Sequence, residues 1–474
     1  MRSTSLTILN SLLAILLVSS VTTRVSLAKL QDREIDFSKL RQVGLAELQQ
    51  TKTPGAAVGI IKNDQVIFEE GLGTANIETG APITTDALFH IGSVTKMFTA
   101  AALVILSDEG KFKLDDPIGI HVRGLPPKLA QITVHQLLSQ TSGLKDVPGD
   151  SGSHEESALG DFARSLKDED LVIENGRAFS YSNAGYSLAG YIIEQVSGKP
   201  YADQLNESLF KPLGMSRTTL RPTVAMTYPL VAGHTAQGQE QPKIVRPLAD
   251  DTRLWPAGYI FTSLHDLTRF IRALLNGGKL AGRQVLPAAV AVKLLSTYID
   301  IPTNVFVNGN YGYGFFSHDY EGTRMFEHGG LLPGYSSEVR LLPAEHVAVI
   351  ILSNRDAVRL NKTFLKAFEL TLPTLHSSSL SRATPPKPEL AISEQEMARL
   401  AGKYVNRWPI EIFVRDGQLM LRQFGNDFAV TKIGENRFAI TPPGATQSQE
   451  FVISNDPTGK PTCLQMALWV FKKN

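Results

Sequence analysis

The chain of 474 residues contains one cysteine, Cys463, which excludes an intrachain disulfide and any zinc site built on thiolates. Charge bias is almost absent: 47 Lys and Arg stand against 46 Asp and Glu, a net charge of +1. That balance creates no field to gather a phosphate backbone or an anionic lipid surface, so no nucleic-acid partner is expected. The ten histidines are dispersed and none forms His-Glu-x-x-His, so neither a metal nor a cofactor is expected.

Long apolar runs are missing except at the start. Arg2 precedes the uncharged stretch Ser3 to Thr23, centred on Leu12-Leu13-Ala14-Ile15-Leu16-Leu17-Val18, and Ser26-Leu27-Ala28 follows. The pattern predicts a signal peptide over 1–28, cleaved before Lys29. An uncleaved membrane anchor is the alternative, because Arg24 interrupts the cleavage region. After Ala28 no stretch reaches the roughly 20 apolar residues of a spanning helix. A secreted or periplasmic protein with no stable membrane insertion after signal removal is expected, its oligomeric state left open.

Ala57-Val58-Gly59-Ile60-Ile61, the polar Lys62-Asn63-Asp64-Gln65 and Val66-Ile67-Phe68 predict a β-hairpin. Val94 to Leu106, apolar all round and free of Pro and Gly, predicts a helix buried inside a larger body. Helices are expected at Tyr186 to Val196, Leu264 to Leu275 and Ala357 to Leu370, and strands at Ser336 to Leu342 and Val347 to Leu352. Strands at both ends enclosing helices predict an α+β domain over 29–372. Ser377-Ser378-Ser379 and Thr384-Pro385-Pro386-Lys387-Pro388 mark a linker over 373–393. Residues 394–474 predict a small antiparallel β-domain, with Ile410 to Val414, an Asp416-Gly417 turn, Leu419 to Leu421, and a period-two strand through Leu464, Met466, Leu468 and Val470. Both strand groups of the first domain precede the linker, so the β-domain is expected to be dispensable for folding.

Ser93-Val94-Thr95-Lys96 places a hydroxyl at a helix start and an ammonium one turn later on the same face, an arrangement that can activate a nucleophile. Ser-x-x-Lys also occurs at Ser26/Lys29, Ser142/Lys145 and Ser208/Lys211, but only Ser93 opens a long buried helix. There the unpaired N–H groups favour an oxyanion forming at the serine. On the four letters alone, a capping serine with a solvated lysine is the simpler reading. Tyr181-Ser182-Asn183 lies in a polar turn before another apolar helix, and reads equally as a buried tyrosine with an asparagine cap; Tyr404/Asn406 repeats the spacing. His328-Gly329-Gly330 precedes Leu331 in a stretch where paired glycines would let a substrate backbone approach an edge strand. In isolation it reads as a glycine turn, since His90/Gly92 repeats it.

Order and context change the weight of these elements. Ser-x-x-Lys, Tyr-x-Asn and His-x-Gly, in that sequence within one strand-bounded segment, resemble the serine β-lactamase and penicillin-binding protein superfamily. The Tyr-x-Asn element is similar to that of the class C β-lactamase, DD-peptidase, D-aminopeptidase and esterase branch. Ile132 to Leu138 running into Thr141-Ser142-Gly143-Leu144, Phe210-Lys211-Pro212-Leu213-Gly214-Met215 and Pro256-Ala257-Gly258 fit the same branch. The resemblance covers Leu40 to Leu372 and implies a sheet flanked by helices plus an all-helical region, with the site between them. The C-terminal β-domain resembles a lipocalin-like appendage of some members. Other serine-enzyme patterns fare poorly: Gly149-Asp150-Ser151-Gly152 sits in a polar loop, and Gly-x-Ser-x-Gly is absent.

By motif position, the resemblance implies Ser93 as acylated nucleophile, Lys96 and Tyr181 as the proton-transfer pair, and Asn183, His328, Gly329 and Gly330 as substrate-binding residues. The backbone N–H groups of Ser93 and Leu331 would form the oxyanion hole. A cation about 4 Å from the Tyr181 oxygen would lower the phenol by roughly three units, although a neutral Lys96 can also take the proton. β-Lactamases carry Lys-Thr-Gly at the third motif. His328, with a reference pKa near 6.5, would be mostly neutral there and charged only at acidic pH. The expected function is therefore an exported serine hydrolase acting through an acyl-enzyme on small esters or D-amino-acid peptides, of carboxylesterase, D-alanyl-D-alanine carboxypeptidase or D-aminopeptidase type. A β-lactamase or a catalytically silent binding protein is the alternative.

Overall fold

Helix α1 (Ser38–Thr51) leads into strands β1 (Gly55–Lys62) and β2 (Gln65–Asn76), whose tight turn runs through Asn63 and Asp64 at positive φ. The chain then builds α2 (Thr95–Asp108), α3 (Asn183–Ser197) and α4 (Leu264–Leu275), with shorter helices between them. It returns to the sheet as β3 (Phe316–Tyr320), β4 (Thr323–Leu332), β5 (Tyr335–Leu342) and β6 (Val347–Ser353), followed by α5 (Asn361–Thr371). This computed structural model describes residues 35–147, 152–236, 241–306, 308–372, 389–445 and 447–474. The expected signal peptide, Gly149 to Ser151, and linker positions 373–388 lie outside the described residues. Among the described residues no helix is long and apolar enough to cross a membrane.

The sheet is antiparallel, with β3, β4, β5, β6, β1 and β2 as consecutive neighbours and short strands at both edges. β6 pairs with β1 from Ser353 opposite Ala56 to Val347 opposite Lys62, so both ends of the domain knit the same sheet. Ala57, Ile61, Val339, Ala348 and Ile350 face the core shared with α2 and α4, whereas Ala56, Val58, Ile60, Val347 and Val349 face α1 and α5. With both faces covered, these strands carry near-continuous apolar runs. α2 is buried on every side from Thr95 to Leu106, as its composition predicts. The last helix starts at Asn361, later than its pattern suggests, because Ala357 adopts a left-handed φ of 53° that a right-handed helix cannot include.

Beyond α6 (Glu394–Leu400) the described residues form nine strands: β7 (Gly402–Val405), β8 (Pro409–Arg415), β9 (Gln418–Gln423), β10 (Asn426–Ala429), β11 (Thr431–Gly434), β12 (Arg437–Ile440), β13 (Gln449–Asn455), β14 (Pro461–Met466) and β15 (Trp469–Lys473). Their order is β10-β9-β8-β7-β15-β14-β13-β12-β11. Laid flat at about 4.8 Å per strand, the edges would stand nearly 40 Å apart. Yet edge strands β10 and β11 are joined by the single residue Val430, so the sheet must curl until its edges meet around the core of Leu421, Phe438, Phe451 and Leu464.

One expectation is corrected here. The run Leu464 to Val470 is not one strand: the chain reverses at Ala467 (φ 49°) and Leu468, and Met466 pairs with Trp469. A two-residue turn leaves the apolar alternation almost undisturbed, so the pattern alone cannot register the reversal. The β-domain packs against the first domain. Cys463 and Val470 pack on Val172 and Ile173, and Leu468 and Trp469 pack on the cluster of Phe179, Tyr181 and Phe316.

Candidate active site

Ser93 sits on a single 3-10 turn, Gly92–Val94, that runs straight into α2. Its side chain caps neither the turn nor the helix. Lys96, in the first turn of α2, is completely buried, so the reading of a capping serine with a solvated lysine fails on both counts. Lys96 Nζ lies 3.1 Å from Ser93 Oγ, 2.7 Å from Asn183 Oδ1 and 2.7 Å from the Ala257 carbonyl oxygen. As an amine, its two N–H groups serve Asn183 and Ala257 and its lone pair faces the Ser93 hydroxyl. Burial draws its pKa down from 10.5 to about 7, while the charge of Asp146 acts in the opposite sense.

The cap of α3 is Ser182, whose Oγ accepts the Gly185 N–H at 3.1 Å, which leaves the Asn183 side chain free to reach Lys96. The Tyr181 to Asn183 turn is fastened by the segment that follows Leu138. Ser180 N–H donates to the Gln140 carbonyl at 2.8 Å, Ser182 N–H to Gln140 Oε1 at 2.8 Å, and Asn183 N–H to Asp146 Oδ1 at 2.9 Å. Tyr181 is buried, with the Ser93 side chain close enough to act on its phenol. Lys96 Nζ stands over its ring, 4.8 Å from the centroid. Burial holds the Tyr181 phenol well above its usual pKa, and the nearby Ser93 hydroxyl offsets only part of that rise. Of the two routes left open, a lowered phenol and a neutral Lys96, the geometry favours the second: Lys96 Nζ lies over the ring face, and burial favours the protonated phenol.

Gly92 shows why the nucleophile turn needs a glycine. Its φ is +51°, and a Cβ there would stand 2.5 Å from Leu331 N, so the turn rests directly on β4. Gly330 completes the fit, since a Cβ on it would lie 1.9 Å from the Ile91 carbonyl oxygen. This glycine admits the protein's own backbone. Gly329 meets only the Ser337 carbonyl oxygen, at 3.6 Å, and is the open member of the pair. β4 is internal in the sheet, contrary to the edge strand expected. However, its pairing with β3 ends at Glu327, so His328 to Leu332 pair on the β5 side alone.

His328 is buried against Phe316, Tyr311 and Tyr181, with ring centroids at 5.1, 6.1 and 6.2 Å. Its Nδ1–H donates to the Gly329 carbonyl at 2.7 Å. Burial, with Lys96 nearby, lowers its pKa to about 3, so the expected titration of His328 in mildly acidic solution is corrected: the ring stays neutral. His90, the repeat of the pattern, is a core residue tilted against Phe261, with ring centroids 3.7 Å apart. Tyr404/Asn406 belongs to the β-domain, where Asn406 accepts the Asp146 N–H at 2.9 Å. Gln140, Asp146 and the Ala257 carbonyl carry no motif letter of their own, although Ala257 stands within the Pro256-Ala257-Gly258 phrase.

A model of the Beta-lactamase family matches residues 39–368. The chain belongs to the Beta-lactamase family. Protein flp of Staphylococcus aureus (strain COL) is 31% identical over 317 residues, covering 65% of this chain and 61% of that protein. The chain thus spans less than two thirds of that relative's length. Penicillin-binding protein 4 of Amycolatopsis lactamdurans is 29% identical over 310 residues, 64% of this chain and 81% of its own. The crystal structure of SurE, also solved with D-Leu, aligns at a TM-score of 0.74 with 23% identity, covering 92% of this chain and 98% of its own. That likeness carries the fold, β-domain included. Ser93, Lys96, Tyr181 and Asn183, scattered over ninety residues of this Beta-lactamase family chain, meet at one point, and His328 lines the wall beside them.

Proposed function

We propose that the protein is an exported serine hydrolase that works through an acyl-enzyme on esters or D-amino-acid-containing peptides. The observation that carries this reading is Lys96: wholly buried, drawn to a pKa of about 7, and 3.1 Å from a serine hydroxyl that caps nothing. A lysine held at that pKa in an apolar interior costs several kcal/mol of folding stability, an expense that fits a proton acceptor.

In the proposed sequence neutral Lys96 takes the Ser93 proton as Oγ bonds to the substrate carbonyl carbon. The negative charge on the carbonyl oxygen is met by the Ser93 and Leu331 N–H groups. Tyr181, still a phenol and close to Ser93, donates to the departing group and recovers a proton from Lys96 as the C–leaving-group bond breaks. Asn183 orients Lys96 through its side-chain oxygen and offers its amide N–H₂ to the acyl side. Water then releases the acyl group by the reverse proton path.

The neutral, aromatic surroundings of His328 favour substrates without a carboxylate at that wall, and so support an esterase or D-aminopeptidase type over a β-lactamase or a D-alanyl-D-alanine carboxypeptidase, whose substrates carry one. The D-Leu bound to SurE and the penicillin-binding relative support the D-amino-acid branch of the proposal. The apolar N-terminal run supports export. The test is a hydrolysis panel of p-nitrophenyl esters, D-Ala-D-Ala peptides, D-amino-acid amides and nitrocefin, with fluorophosphonate labelling and Ser93→Ala as control. Turnover of one class with loss in Ser93→Ala is expected; no labelling of the wild type would overturn the reading in favour of a silent binding protein.

A further inference from the structure

Asp146 has a side chain only 1% exposed, and both of its oxygens are engaged across a domain boundary. Oδ1 accepts the N–H of Asn183, at the start of α3, and that of Val147, each at 2.9 Å. Oδ2 accepts the Trp469 indole N–H at 3.3 Å and lies 3.7 Å from an Arg407 guanidinium nitrogen. The backbone N–H of Asp146 donates to Asn406 Oδ1 at 2.9 Å. A buried carboxylate is tolerated only when its lone pairs are met, and here the two domains share that task.

The same part of the β-domain holds the neighbouring turn. Tyr181 N–H donates to the Leu468 carbonyl at 2.8 Å, Val470 N–H to Ser180 Oγ at 3.1 Å, and Gln465 Nε2–H to the Phe179 carbonyl at 2.9 Å. Trp469 is itself seated edge-on against Trp408, with ring centroids 5.0 Å apart. The β14–β15 turn therefore reaches the backbone of the turn that carries Tyr181 and Asn183.

We propose that Asp146 is a positioning residue that locks Asn406, Arg407 and Trp469 of the β-domain to the start of α3, which makes the β-domain a structural part of the catalytic site. This rests on the hydrolase reading above. Two consequences separate it from a purely structural role. Losing the lock loosens Tyr181 and Asn183, so acylation slows. Losing the negative charge also removes the one acidic group that acts on Lys96 among the described residues; Lys96 is otherwise faced by Ser93, Asn183, the Ala257 carbonyl, His328 and the rings of Tyr181 and Tyr186. Asp146 itself is faced by Arg407, Trp469, Asn183 and Asn406.

The test is the second-order rate of labelling by a fluorophosphonate across about pH 5 to 9, on full-length wild type, Asp146→Asn, Trp469→Phe and their double variant. Melting curves report folding, and Arg415→Ala on the outer β-domain surface serves as control. Each single variant is expected to label about ten- to a hundredfold more slowly at the plateau, and the double no worse than Asp146→Asn alone. In Asp146→Asn the acid limb moves to lower pH, because burial then acts on Lys96 unopposed. In Trp469→Phe, which keeps both the charge and the ring packing, the limb stays in place. Folded variants that label within about twofold of wild type at every pH, or a double variant slowed by the product of the two, would overturn the proposal. If Asp146→Asn does not fold, Trp469→Phe decides alone, by its plateau. An unlabelled wild type would instead overturn the hydrolase reading.

Discussion

If neutral Lys96 accepts the Ser93 proton, acylation tracks the fraction of this lysine that is an amine. Burial draws its pKa from 10.5 to about 7, a bias of about 5 kcal/mol toward the amine. At neutral pH an ordinary lysine is an amine about three times in ten thousand, whereas this one is so about half the time. Below its pKa the lysine is protonated, so kcat/KM and the labelling rate should fall about tenfold per pH unit, to roughly 1% at pH 5, and level off above about pH 8. No alkaline limb from Tyr181 is expected in that range, because burial raises the phenol above its ordinary 10. Fluorophosphonate labelling of wild type across about pH 5 to 9.5 measures the profile directly. A midpoint above about pH 9, or a flat profile, would refute a neutral Lys96 as the base. The same shift has a thermodynamic signature. The unfolded lysine keeps its proton up to 10.5 while the folded one releases it near 7, so stability should rise by about 1.4 kcal/mol per pH unit between those values relative to Lys96→Met.

Ser93→Ala should abolish turnover and labelling yet melt within a few degrees of wild type, because the lost hydroxyl caps neither turn nor helix; residual labelling would move the nucleophile elsewhere. Tyr181→Phe keeps the ring and loses the proton carrier, so acylation should fall by about 10²- to 10⁴-fold, and combining it with Lys96→Ala should be less than additive; strict additivity would sink the shared proton path. Gly330→Ala would drive a methyl group onto the Ile91 carbonyl, with a cost of about 1–3 kcal/mol in stability and at least about a tenfold loss of labelling, measured by melting and by rate. The wild-type ratio of kcat/KM for a carboxylate-bearing over a neutral ester should not rise between about pH 8 and 5 on account of His328, whose pKa is lowered to about 3; a rise that His328→Gln removes would contradict its burial.

Much of this protein was legible in its residues. The apolar runs Ala57 to Ile61 and Val347 to Leu352 announced buried strands, and Val94 to Leu106 a helix with no exposed face, because burial demands the same side chains whichever partner provides it. Three short motifs in order were enough to indicate the family, since an activated serine needs a base and an orienting amide whatever the substrate. What the linear order could not carry was protonation. The letters of Lys96, Tyr181 and His328 suggest an ordinary cation, a lowered phenol and a titrating imidazole, and in the structure all three are shifted toward their neutral forms, because a pKa is set by the desolvation that the surrounding fold imposes. The reversal at Ala467 was equally hidden, since two turn residues barely disturb an alternation, and with it the contact between the β-domain and the Tyr181 turn. The sequence by itself determined which segments are buried and which side chains can do chemistry. Only the tertiary structure decided which charges lose their water and which distant residue, such as Asp146 or Trp469, holds them in place, because both depend on neighbours that share no proximity in the chain.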